Sequence, residues 1–161
     1  MQPAEENKDK GMMTPTRSWA GLNTVVLMLL LLVFFAYHQW KNTGFFTDNF
    51  GTVEMLALYV PIVFSMAAPI QRAVQGRNNP ARPVEAASDL CLAIGSIWLW
   101  NHFPFNFVHL ADPFPSAMRF AFAWITNNAG RIILLLQIVI GFISALATIA
   151  SYLSERKTKP Q

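Results

Sequence analysis

Cysteine is nearly absent: Cys91 is the only one among 161 residues. No intramolecular disulfide is possible, which excludes a stapled secreted scaffold. A lone cysteine within an apolar run reads as a small core residue. Charge is scarce too. Asp, Glu, Lys and Arg make up 13% of the chain, against about 25% in a soluble globular domain. So few charges cannot cover a water-facing surface, and much of this surface is expected to face lipid. Walker, HExxH, GxSxG and CxxC patterns are missing, so no nucleotide, zinc-protease, serine-hydrolase or dithiol chemistry announces itself. There is no internal repeat, heptad array or low-complexity tract.

What is present is apolar and aromatic. Apolar residues account for 53% of the chain, with 13 Phe and 5 Trp. Net charge is +3 and the pI about 9.3. In a soluble chain that balance would point toward nucleic acid. Here the basic residues sit in short segments between apolar runs, which is the pattern of membrane topology. We therefore expect a single-domain, all-α integral membrane protein, a four-helix transmembrane bundle in contact with lipid and not with nucleic acid.

Residues 1–18 are polar and charged, with Pro3 and Pro15, and are expected to form a flexible tail. The first span covers about 20–38, bracketed by Trp19 and Trp40, whose indoles favour the headgroup level. A cleaved signal peptide is the competing reading. The run is long for one, and Tyr37-His38-Gln39-Trp40 offers no small-residue cleavage site. Turn residues Gly44, Asp48, Asn49 and Gly51 precede a second span over about 53–71, where Pro61 and Pro69 predict a kink. A hydrophilic connection from Gln71 to Pro83 follows. The third span, about 86–103, is short for a full crossing and ends before Pro104. The fourth, about 131–153, is uncharged from Ile132 to Tyr152, and residues 154–161 form a second tail. Its small residues Gly141, Ser144, Ala145, Thr148 and Ser151 recur at helical spacing and mark a packing face.

Between the third and fourth spans lies an aromatic segment broken by Pro104, Pro113 and Pro115. Ala117 to Ile125 is expected to form a short interfacial helix, with Met118, Ala121, Phe122 and Ile125 on one face, broadened by Phe120 and Trp124. The alternatives are a short fifth crossing or an extension of the last helix.

Orientation follows from counting Lys and Arg. One side collects Lys8, Lys10, Arg17, Arg72, Arg77, Arg82, Arg156, Lys157 and Lys159; the other has Lys41, Arg119 and Arg131. The positive-inside rule places the richer side, and with it both termini, in the cytoplasm. This predicts a multi-pass protein of the cell or inner membrane.

Candidate functional residues are few. His38, His102 and His109 fall near the outer face, and two imidazoles at one depth are capable of holding haem or copper. Ordinary interfacial histidines are the stronger reading, so no cofactor or metal is predicted and no catalytic residue is assigned. Asp89 lies about one turn into the third span, where it can reach water or pair with Arg72 or Arg82. Gln137 in the last span is expected to hydrogen-bond across helices. Glu54 and Arg131 occupy similar outer depths, and either pair with each other or act separately, Glu54 capping its own helix and Arg131 reaching lipid phosphate.

These features favour a non-catalytic accessory or scaffold subunit of a larger membrane complex, with partner subunits or further copies of itself. The alternatives are a small transporter or channel component working as an oligomer, or a redox protein using the outer histidines. Four helices in 161 residues with both ends inside resemble the small membrane subunits of tripartite carboxylate transporters. The likeness is one of topology and brings no motif with it.

Overall fold

The computed structural model describes the backbone of residues 15–75 and 81–157, and the side chains of 21–74 and 81–154. Most of the expected N-terminal tail, the 76–80 part of the polar connection and residues 158–161 lie outside the described residues. Regular structure among the described residues is helical, apart from one isolated antiparallel bridge between Phe46 and Phe105.

Helix α1, Pro15–Lys41, starts on a proline, whose missing N–H costs nothing in a first turn. Pro15 to Ser18 are thus helical and not part of a tail. The helix stops where Asn42 takes a positive φ of 46° and Gly44 one of 88°, conformations that reverse the chain. Helix α2, Thr52–Ser65, is opened by Glu54, whose carboxylate accepts the Gly51 N–H at 3.0 Å. Helix α3, Ala67–Gln75, continues it after a break at Met66. Pro69 explains the position of the break: it leaves the Ser65 carbonyl without its helical donor and its ring crowds that carbonyl. Pro61 stays inside α2.

Helix α4, Arg82–His102, begins four residues before the expected third span, because Pro83 sits in the first turn, where proline is harmless. It ends at Phe103, which takes a positive φ of 36° and donates its N–H to the Leu99 carbonyl at 2.8 Å. Helix α6, Asn127–Lys157, is 31 residues long. Between them the expected interfacial helix over Ala117 to Ile125 does not form as one element. Its place is taken by α5, Ser116–Arg119, and a 3-10 turn, Phe120–Phe122. A stretch this short forms few hydrogen bonds against the cost of nucleation, and it winds partly as 3-10 turns. Met118, Phe120 and Trp124 point outward, while Phe122 folds back and stacks on Phe114 with centroids 4.6 Å apart.

Three stretches are long and apolar enough to cross a membrane: Gly21–Lys41, Thr52–Val74 and Asn127–Ser154. They are compatible with a multi-pass membrane protein. Helix α4 is not among them, so three of the four expected spans are found. The helices form an open row: α4 packs between α6 on one side and α2 with α3 on the other, and α1 lies against α3 and α2.

Two close approaches hold the row. At Gly95 of α4, an added Cβ would lie 2.5 Å from the Ala57 carbonyl oxygen and 2.9 Å from the Pro61 ring. Pro61 strips that same carbonyl of its helical N–H donor, and the glycine lets the α4 backbone close over it. At Gly141 of α6, a Cβ would meet the Asp89 carbonyl at 3.0 Å and Ala93 at 3.1 Å. Ala93 and Ala145 are fully buried there. The small-residue face of the last helix is therefore an internal packing face against α4.

Candidate functional site

One end of the row gathers the C-terminal ends of α1 and α4, the N-terminal ends of α2 and α6, and both long loops. The loops are zipped by backbone hydrogen bonds, Asn106 N–H to the Phe45 carbonyl at 2.7 Å and Thr47 N–H to the Pro104 carbonyl at 3.0 Å. This aromatic end is capped by Phe45, which is 1% exposed. The rings of Phe34, Phe35, Phe46, Phe105 and Phe107 and the imidazole of His38 surround it at centroid distances of 4.6–6.3 Å. Rings at such distances fill volume densely and add edge-to-face attraction.

The three histidines divide between two clusters. His38, in the last turn of α1, is sealed among Phe34 and Phe45, both at 4.6 Å. Its Nδ1 bonds the Thr43 hydroxyl at 2.5 Å, while its Nε2 makes no hydrogen bond. His109 and Asp112 lie near His38. His109 Nδ1 bonds the Asp112 carboxylate at 2.9 Å, and its ring lies 3.1 Å from where a Cβ on Gly44 would be. Glycine at 44 thus serves both the reversed backbone and the ring above it. His102 belongs elsewhere. It stacks on Trp98 at 4.1 Å, and Nδ1 lies 3.1 Å from the Trp98 carbonyl. Of the three histidines, His102 packs on Trp98, whereas His38 and His109 lie at the loop side of the cap. Among the described residues no group of three or more His, Cys, Asp or Glu is placed to hold a metal ion.

Glu54 joins the His102 cluster. Glu54 is 8% exposed as a residue, and its carboxylate accepts the Trp98 indole N–H at 3.1 Å and the Gly51 N–H. Arg131 does not reach it; its guanidinium lies over the Phe103 ring, 4.2 Å from the centroid. Of the two readings of Glu54 and Arg131, the pairing does not form, and Glu54 caps its own helix. Glu54 spends its oxygens on its own helix start and on α4, and Arg131 finds a cation–π partner instead.

At the opposite, basic end Arg72 of α3 pairs with Glu85 of α4. That pairing takes Arg72 away from Asp89. Asp89 instead accepts the Ser144 hydroxyl of α6 at 2.6 Å, beside the Gly141 close approach. Gln137 is half-buried on α6, and no cross-helix hydrogen bond to its amide is seen among the described residues. Sequence reasoning missed Trp98, Thr43 and Asp112 as partners. Ser144 was within reach, since it lies on the small-residue stripe and Asp89 needed a donor.

Beside the sealed aromatic plug lies a cleft of about 630 Å³. Its walls come from the Phe107–Asp112 and Arg119–Ile125 stretches, and its rim from the first turn of α6. The chain matches no protein-family model, and comparisons with curated proteins and with solved structures return no significant similarity.

Proposed function

We propose that the chain is a four-span membrane protein with both termini in the cytoplasm, acting as a non-catalytic accessory or scaffold subunit of a larger membrane complex. The observation that carries this reading is the open row. Helices α1 and α6 are its flanks. Each packs along one stripe and turns the rest of its apolar surface outward, as Leu30, Val33, Ile140, Ile143 and Leu146 illustrate. Two broad apolar flanks suit lateral contact with lipid and with neighbouring subunits.

The fourth crossing is supported by connectivity. Helix α4 begins beside the α3 end, where Arg72 meets Glu85, and returns to the aromatic cap. Its 21 residues reach about 30 Å, the thickness of the hydrocarbon core. Its low apolarity fits its place: flanked on both sides by helices, it needs little lipid-facing surface. A reporter active only in the cytoplasm tests the topology. It is expected to work after Gln161 or at Gly76, and to fail at Asn42 or after Asp112. Co-purification from native membranes tests the role; a lone monomer in mild detergent counts against it.

One observation favours the transporter or channel reading. The Asp89 carboxylate lies between α4 and α6, roughly a third of the way along α4, and ionisable groups at such depths are often functional. Ion flux through reconstituted protein that is lost in Asp89→Asn would establish it. The redox reading, which uses the outer histidines, is tested by the visible absorption spectrum: a Soret band or bound metal in the purified protein would support it.

A further inference from the structure

The cleft beside the aromatic cap combines a cation with an apolar wall. Arg119 lines it, and two of its donors are already committed: Nε to the Phe114 carbonyl at 3.0 Å and Nη2 to the Asp112 carbonyl at 3.3 Å. These bonds fix the guanidinium plane and leave Nη1 unused. Asn127 is fixed likewise. Its Oδ1 accepts the Phe107 N–H at 2.8 Å, which turns the amide N–H pair away from that bond. Asn128 completes the rim. The Thr126 carbonyl accepts the Gly130 N–H at 3.0 Å, so the N–H groups of residues 127–129 precede the first helical bond and have no partner within α6. No acidic side chain lies in that turn. Asp112 is the acid in the lining, and its carboxylate is held by His109. The floor and wall are apolar, with Phe107 and Phe122.

We propose that this cleft binds an oxyanion carried on an apolar body, and that its source is the headgroup phosphate of an anionic phospholipid. Fixed donors around a cationic fork suit a phosphate, and the aromatic wall suits the glycerol and upper acyl region. Depth selects the lipid source. Phe120 is 78% exposed, Trp124 72% and Val108 79%, and Ala123 and Ile125, on either side of Trp124, line the cleft. Exposed indoles favour the headgroup level, which brings the mouth of the cleft to phosphate height. The inference rests on the membrane-spanning reading, which the reporter fusions test separately.

The test titrates full-length protein in neutral detergent with short-chain phosphatidylglycerol, short-chain phosphatidylcholine and inorganic phosphate, with binding read by native mass spectrometry. Phosphatidylglycerol is expected to bind about tenfold more tightly than phosphatidylcholine, whose quaternary ammonium cancels the net charge and would sit against the Arg119 cation. Arg119→Gln should remove that preference and Arg119→Lys should keep part of it. Because Arg119 also ties the loop together, Asn128→Asp provides an independent arm. Asn128 is exposed, and an acid in a first helical turn favours the helix, so this variant should fold normally while repelling the anion about tenfold. Displacement of phosphatidylglycerol by phosphate alone supports the oxyanion site and moves its source to a soluble anion. Equal binding of the two lipids, unchanged in both Arg119→Gln and Asn128→Asp, overturns the proposal.

Discussion

Helices α4 and α6 lie side by side and obey opposite rules. Helix α6 is apolar enough to cross a membrane, yet apart from its stripe against α4 it is exposed on almost every turn, Ile140 at 62% and Leu146 at 67%. Helix α4 falls short of that apolarity and is more enclosed, with Ala93 fully buried and Ser88, Ser96 and Leu99 below 5% exposed. In a water-soluble protein the enclosed helix is the apolar one. Here apolarity tracks outward exposure, the arrangement expected of helices facing lipid, and enclosed faces are free to use small and polar residues that let backbones approach. The helix that looks weakest by hydropathy is the one on which its neighbours are assembled.

The strongest way to break this comparison is to thicken α4 where it is thinnest. In Gly95→Ala the new Cβ would lie 2.5 Å from the Ala57 backbone oxygen. No side chain can rotate to relieve that, so α2 must move as a body. We expect a loss at the upper end of the range for overpacking, about 3 kcal/mol, seen as a lower Tm in detergent. Gly141→Ala should cost less, because its nearest neighbours are at 3.0 Å and 3.1 Å and one of them is a methyl group. A reversed order would mean that the α4–α2 contact is the softer of the two.

A smaller effect sharpens the same interface. Asp89→Ala and Ser144→Ala each remove one partner of the 2.6 Å hydrogen bond. A double-mutant cycle on thermal stability should give a coupling of about 0.6–1.7 kcal/mol, the range for hydrogen bonds between membrane helices. Asp89→Asn keeps an acceptor and should lose little. Zero coupling would show that Asp89 is retained for something other than holding α6, and would strengthen the flux experiment.

How much of this was legible in the sequence depended on distance along the chain. Helices α1 and α6 were readable because length and apolarity are local. The kink in the second span was readable from Pro69, although its form, a one-residue interruption at Met66 with the backbone still in the helical region, depended on how the freed Ser65 carbonyl was handled. The start of α4 was hidden, because Arg82, Pro83 and Glu85 have the composition of a loop and only their place in a first turn makes them helical. The cap was invisible. Phe45 and Phe105 meet across sixty residues with no periodicity to signal it, and Glu54 finds Trp98 across another long separation. The histidines were legible as a group near one end, but not in their pairing, which the loop zipper decides.

The smallest expected effect is the most informative about the flanks. Leu99 of α4 is 3% exposed, in the core shared with Phe45, Leu58, Ile62 and Phe105. Leu99→Ala should therefore cost about 2–4 kcal/mol, a cavity being left where neighbours cannot close. Leu146 of α6 is the same side chain on a free face. Its truncation exchanges contacts with detergent or lipid for others of the same kind, and should stay within about 0.5 kcal/mol. The pair is measured by thermal denaturation of the purified protein. If Leu146→Ala proves as costly as Leu99→Ala in that preparation, the outer face of α6 is already packed against a second copy. The row is then half of a homo-oligomer. If instead Leu146→Ala is silent in purified protein while Leu146→Trp abolishes co-purification from native membranes, the flank meets a different subunit. That last outcome supports the accessory reading, because it ties the apolar face of α6 to a different subunit that accompanies the protein out of native membranes.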